Sequence, residues 1–157
     1  LSMKKLNKNN KGFSLVELLV VIAIMVVLVG VVAPTLLRNI EKSRVSRDIQ
    51  TLDSVAAAVQ ATLTSEKANA AAPSGVVGLQ TIYDAASPND FQTEFKLNLP
   101  SGSGLKLTAS EVKGTDVKIY FVIENGAVTV FASKDASPSK ANAIKTTDNN
   151  TTFSVTR

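Results

Sequence analysis

Glu17 is the only charged residue between Phe13 and Ala33, in the run FSLVELLVVIAIMVVLVGVVA. A charged side chain in lipid is disfavoured by roughly 2.5–3.5 kcal/mol at mid-bilayer and by less near the edge. A plain anchor has no use for such a residue, so its presence calls for a partner of opposite charge. Ahead of it, Lys4, Lys5, Lys8 and Lys11 stand in a stretch of twelve residues that contains no acid and ends in Gly12. The rest of the chain is poor in reactive groups. It has no Cys and no His, which excludes disulfide frameworks, lipid attachment at an N-terminal cysteine, Cys or His zinc centres, and any triad with an imidazole base. No glycine loop ends in Gly-Lys-Ser/Thr. Asp148-Asn149-Asn150 sets one carboxylate among amides, which reads as a turn rather than a calcium cage of about six to eight oxygens. Leu99-Pro100-Ser101-Gly102-Ser103 lacks the Thr-Gly of a sortase signal. No catalytic residue, metal or cofactor is expected, and an enzyme is the least favoured class.

The elements that must position Glu17 follow from hydropathy and charge. Residues 13–33 form 21 consecutive positions, which as a helix span about 31 Å, the thickness of a bilayer's hydrocarbon core. The run is apolar around its whole circumference, so it is no surface helix of a soluble domain. A secretory signal peptide would have a shorter apolar stretch, no early acid, and small residues at an A-x-A end. The four lysines favour the N-terminal end in the cytoplasm. Arg38, Lys42, Arg44 and Arg47 oppose them from the far flank, with Glu41 and Asp48 interspersed. The first flank carries more weight, giving N-in, C-out. The formal net charge is +4, yet from Phe13 onward 13 basic residues balance 13 acidic ones. Removing the first segment would remove the basic character, so direct nucleic-acid binding is not expected.

Lys11-Gly12-Phe13-Ser14-Leu15-Val16-Glu17-Leu18-Leu19, followed by the apolar stretch, resembles the class III leader of type IV pilins and the related pseudopilins. The likeness covers about residues 4–37. It implies cleavage by a prepilin peptidase after Gly12, methylation of the new N-terminus at Phe13, and Glu17 as the assembly glutamate. A glycine at the cut lets a protease approach the backbone closely. Cleavage would create an α-ammonium at Phe13, whose ordinary pKa is about 8. In the family this ammonium neutralises the glutamate of an adjacent subunit. Along one helix the two positions differ by about 6 Å of rise, so a modest axial step between subunits aligns them. The absence of Cys departs from the many pilins whose C-terminal loop is closed by a disulfide, so that loop must be held by other means.

Pro34 lacks an N–H and cannot bond the carbonyl of Gly30, four residues earlier; the pair predicts a kink with the helix resuming beyond it. From Val45 the apolar positions Val45, Ile49, Leu52, Ala56, Val59 and Leu63 recur at spacings of 4 and 3, a one-sided stripe. A helix from Phe13 to about Leu63 would be about 77 Å long, with only its second half docking on a globular domain. Arg44 and Asp48 are read as an i,i+4 pair on the wet face, within a run of charges from Arg38 to Asp48 that reads as solvated. Residues 64–104 carry two loop signals, Ala70 to Gly75 and Pro100 to Gly104, with a short helix over Leu79 to Ala86.

The period then changes to two. Asn125-Gly126 between alternating runs signals a type I′ hairpin. Its register sets Ile123 against Val128, Phe121 against Val130 and Ile119 against Ala132 on an apolar face suited to the helical stripe. The other face pairs Val122 with Thr129 and Tyr120 with Phe131, the aromatic pair being either a subunit contact or covered by the tail. Leu105 to Val112 is expected as a third strand, and residues 151–156 as a fourth, preceded by Ala143 to Thr147.

The expected architecture is therefore α+β and type IV pilin-like, a long N-terminal helix packed on a small antiparallel sheet. It divides into a cleaved leader at 1–12, a transmembrane and filament-core helix at 13–37, and a head at 38–157 with a helix to about 63, a variable loop over 64–104 and a sheet over 105–157. The resemblance implies a subunit of a type IV pilus, passing from a single-pass membrane precursor to an extracellular filament. Its expected partners are further copies of itself and other pilins, the peptidase, a membrane assembly platform, and lipid before assembly. The alternatives are a pseudopilin of type II secretion or DNA uptake and, in another class, a surface adhesin or binding module anchored by residues 13–33.

Overall fold

The computed structural model describes residues 12–146 and 151–157. The chain divides into two units, Leu1–Ile40 and Glu41–Arg157. In the first, a helix begins at Leu15 with every turn exposed. Of its large apolar residues, Phe13, Leu15 and Val16 through Leu37 present half or more of their surface almost throughout. This helix, α1 (Leu15–Leu63, 49 residues), contains Pro34 and runs into the second unit. An apolar helix exposed on all sides fits lipid or the interior of an assembly and is unstable as a free surface in water.

In the second unit the stripe docks as expected. Leu52, Val55, Ala56 and Val59 of α1 are fully buried, with Val45, Ile49 and Leu63 packed beside them. They meet one face of a four-stranded antiparallel sheet in the order β1 (Val76–Gly78), β2 (Lys118–Glu124), β3 (Ala127–Ser133), β4 (Ser154–Thr156). The β2–β3 register pairs Ile123 with Val128, Phe121 with Val130 and Ile119 with Ala132, as the alternation predicts. Asn125 (φ 51°) and Gly126 (φ 80°) both occupy the left-handed region that a two-residue I′ turn requires. On the far face Tyr120 stacks on Phe131 with centroids 5.9 Å apart. Phe131 is fully buried and packed with Val122 and Ala143, so the tail covers Phe131 while Tyr120 stays partly exposed.

Between helix and sheet lies an aromatic core the periodicity did not reveal. Helix α4 (Asp90–Asn98) supplies Phe91 and Phe95, stacked at 6.1 Å, and both lie about 6.1–6.2 Å from Phe121. Its start is fixed by a capping box: Asn89 accepts from Gln92 N–H and Gln92 accepts from Asn89 N–H. Two shorter helices precede it, α2 (Glu66–Ala70) and α3 (Leu79–Tyr83), the latter within the span expected to be helical. The Tyr83 hydroxyl donates to the Leu99 carbonyl, and burial pushes its pKa above the ordinary phenol value. A Cβ on Gly102 would collide with the Tyr83 ring, which is why the 102–104 turn can close beneath it.

Two expectations fail here, for one reason. Leu105 to Val112 forms no strand; the third strand is β1, from the region expected to be irregular. The Arg44–Asp48 pair also does not form. Asp48 is 1% exposed and turns inward, where its carboxylate accepts from Thr108 N–H (2.7 Å), Ala109 N–H (2.6 Å) and the Thr108 hydroxyl (3.0 Å). Glu41 accepts from Ser110 N–H at 2.5 Å and from its hydroxyl at 2.9 Å. Two helix carboxylates thus take the backbone donors that a neighbouring strand would have used. Arg44 pairs with Glu41 instead, at 3.4 Å. Asp48→Ala strands one buried donor (Ala109 N–H) and two part-buried ones on Thr108, and the cost of leaving such groups unmade predicts a loss of about 3 kcal/mol. A thermal midpoint lowered by roughly 10 °C or more would register it; an unchanged midpoint would refute the anchoring role.

The C-terminal segment is held without a disulfide. Phe153 is fully buried, Phe153 N–H donates to Ile144 and Ile144 N–H to Ala132, and an isolated bridge joins Lys145 to Thr152. Thr147 and Asp148-Asn149-Asn150 lie outside the described residues. Arg157 exchanges both backbone bonds with Val128 and grips the Asp53 carboxylate of α1 through Nε and Nη2, each at 2.7 Å. The guanidinium holds the Asp53 carboxyl below the usual range, and Ser110 N–H does the same for Glu41. Depressed carboxyl values contribute stability above the unfolded pKa of about 4 and lose it as pH falls through the folded value. The difference in thermal midpoint between wild type and Arg157→Ala should therefore be full above about pH 5 and close on acidification below about pH 4. A difference independent of pH would show that the ion pair is not what holds the strap.

Candidate functional site

The candidate site is the start of α1. Gly12, Phe13 and Ser14 precede the helix in extended or irregular backbone, and Leu15, Val16 and Glu17 form its first positions. Ser14 Oγ accepts from Val16 N–H at 3.3 Å, and Glu17 Oε2 accepts from Ser14 N–H at 2.9 Å. Ser14 is thus the N-cap, and Glu17, three residues on, reaches back to it as in a capping box. The signal Ser-x-x-Glu before an apolar run was legible in the sequence and marks where this helix begins. Sequence reasoning had singled out Glu17 and passed over Ser14.

Local capping alone does not call for the charge of Glu17. A cap contributes about 1 kcal/mol and needs only a neutral acceptor, such as Gln, at this position. It gives no reason for a charge in a helix long and apolar enough to cross a membrane. Only Oε2 is engaged among the described residues, which leaves Oε1 able to take a further donor. Phe13 is 87% exposed, so its backbone nitrogen and ring are accessible to enzymes and to other chains. A Cβ built on Gly12 meets nothing within 4 Å, so no packing among the described residues explains a glycine there. The same holds for Gly30, which lies with Pro34 inside α1. Lys4, Lys5, Lys8 and Lys11 lie outside the described residues. Among the described residues no group of His, Cys, Asp or Glu could hold a metal ion.

Residues 7–33 match the family model described as the prokaryotic N-terminal methylation motif. The chain is also 29% identical over 126 residues to type II secretion system core protein G of Klebsiella pneumoniae, covering 80% of this chain and 84% of that protein. By these two matches the chain is similar to type IV pilins and pseudopilins. No solved structure matches it significantly.

The match to the motif covers the exposed apolar helix, and the match to the secretion protein extends well into the head. Helix α1 is long and apolar enough to cross a membrane. The head is a helix on a four-stranded antiparallel sheet, a pilin-like architecture with no cysteine to close it.

Proposed function

We propose that this chain is a structural subunit of a type IV pilus, cut after Gly12, methylated at Phe13 and drawn from the membrane into a helical extracellular filament. The observation that carries the reading is the single carboxylate of Glu17 at the head of an apolar helix whose side chains stand exposed among the described residues. Transfer from lipid into an equally apolar filament core costs the helix little. Specificity of axial register then falls to the one polar pair available, the Glu17 carboxylate of one subunit and the Phe13 ammonium of its neighbour. Lys4, Lys5, Lys8 and Lys11 keep the leader on the cytoplasmic side, where the peptidase acts. Gly30 and Pro34 weaken the backbone pairing of the helix in mid-course, which lets it bend as subunits pack. The other partners in this reading are a membrane assembly platform and further pilins.

The likeness to a type II secretion core protein favours a second reading, a pseudopilin forming a short periplasmic or envelope-bound filament. Shearing intact cells and quantifying this subunit in the sheared and envelope fractions separates the two. A pilus places most of the assembled subunit in the sheared fraction; retention of nearly all of it in the envelope would favour the pseudopilin.

A further inference from the structure

From Glu41 to Arg157 the chain carries twelve basic and twelve acidic residues, but these are not evenly distributed. An open groove of about 970 Å³ has Arg44, Arg47, Lys106, Lys113 and Lys118 along its lining and one acid, Asp84. Arg44 is bonded to Glu41, and Arg47 donates to the Thr108 hydroxyl at 2.9 Å. Lys106, Lys113 and Lys118 are exposed and form no ion pair among the described residues. Between these cations the floor is apolar, formed by Leu107, Val112 and Ile119.

The groove also runs along an open strand edge. Strand β1 ends at Gly78 opposite Tyr120, two residues short of the start of β2. Lys118 and Ile119 therefore have β3 on one side and the groove on the other, where Gly78, Lys118, Ile119 and Tyr120 all line it. The chain that would have continued β1 turns instead into α3. An unpaired strand edge offers backbone donors and acceptors to an extended segment.

We propose that this groove is a docking site for an extended acidic peptide segment of a partner protein. The segment continues the line of β1 beside Lys118–Ile119, sets its apolar side chains on Leu107, Val112 and Ile119, and places its carboxylates against Lys106, Lys113 and Lys118. Charge complementarity selects the partner and speeds encounter, and the strand edge fixes direction and register. A lipid acyl chain makes no use of a strand edge. A single-stranded nucleic acid needs aromatic platforms, and the one aromatic in the lining, Tyr120, is already stacked on Phe131. The inference concerns the head and holds for pilus and pseudopilus subunits alike.

The test is fluorescence anisotropy with the full chain in neutral detergent micelles and a labelled heptapeptide of alternating Glu and Val. It should bind about tenfold or more tightly than its Lys/Val counterpart, with affinity falling as salt rises. Lys113→Glu with Lys118→Glu should abolish this preference, whereas Lys134→Glu, outside the groove, should leave it within about twofold. Methylating the peptide's backbone nitrogens along one edge should also weaken binding by about tenfold. Should the double reversal misfold, Lys118→Gln gives a smaller loss in the same direction. Equal binding of the two peptides, indifference to the groove substitutions, or indifference to backbone methylation would overturn the proposal. So would groove-dependent binding of short-chain phosphatidylglycerol or oligothymidylate in preference to the acidic peptide.

Discussion

Glu17→Ala yields a chain that is cut and methylated but leaves the membrane poorly, with filament mass falling about tenfold or more. The proposed pairing of the Glu17 carboxylate with a neighbour's Phe13 ammonium is the reason. Without it each added subunit carries an unpaired cation into an apolar core, and a difference of only about 1.4 kcal/mol per contact is already tenfold in its equilibrium constant. The companion variant is Glu17→Gln. Gln accepts a backbone N–H at this position as Glu does, so the cap on Ser14 survives while the charge is lost. Glu17→Gln should therefore assemble as poorly as Glu17→Ala, with the uncut fraction near wild type in both. Wild-type assembly by Glu17→Gln would reduce Glu17 to a helix cap and remove the charge-pairing account.

Gly12→Leu should leave the precursor uncut in the membrane, with processing reduced by about a hundredfold, the order expected when the scissile backbone is held away from its catalytic groups. The prediction discriminates because a Cβ at Gly12 meets nothing within 4 Å among the described residues. A folding defect is not expected, and the head should keep its wild-type thermal midpoint. An uncut band accompanied by a normally folded head locates the effect at the peptidase. Normal processing of Gly12→Leu would contradict the proposed cut.

How much of the fold could be read in advance depended on whether a residue's role was periodic or singular. The β2–β3 hairpin was legible down to its register because an alternating pattern and Asn125-Gly126 state the same geometry. The docked half of α1 was legible because Val45 to Leu63 repeats at helical spacing. The region from 64 to 104 was not read beyond α3, although Asn89-x-x-Gln92 and the pair Phe91 and Phe95 carried the signals for α4. Asp48 was misread for a deeper reason. Helical spacing put it beside Arg44, and nothing local reveals that Thr108 and Ala109, sixty residues away, supply donors that draw it inside. At the candidate site, composition singled out Glu17 by its isolation, while Ser14 went unnoticed because a cap is defined by geometry rather than rarity. The strap closing the C-terminal segment, Arg157 on Asp53, is a contact between positions 104 apart and left no local trace.

The central claim is that Gly12–Phe13 is a processed junction from which a filament subunit begins. Mass spectrometry of the N-terminal peptide from cells making the full chain tests it directly. The account predicts a peptide that begins at Phe13 and carries a methyl group on its α-amine. An N-terminal peptide that retains the lysine-rich leader through Gly12, in membranes and sheared material alike, would contradict it and return the chain to a plain membrane anchor.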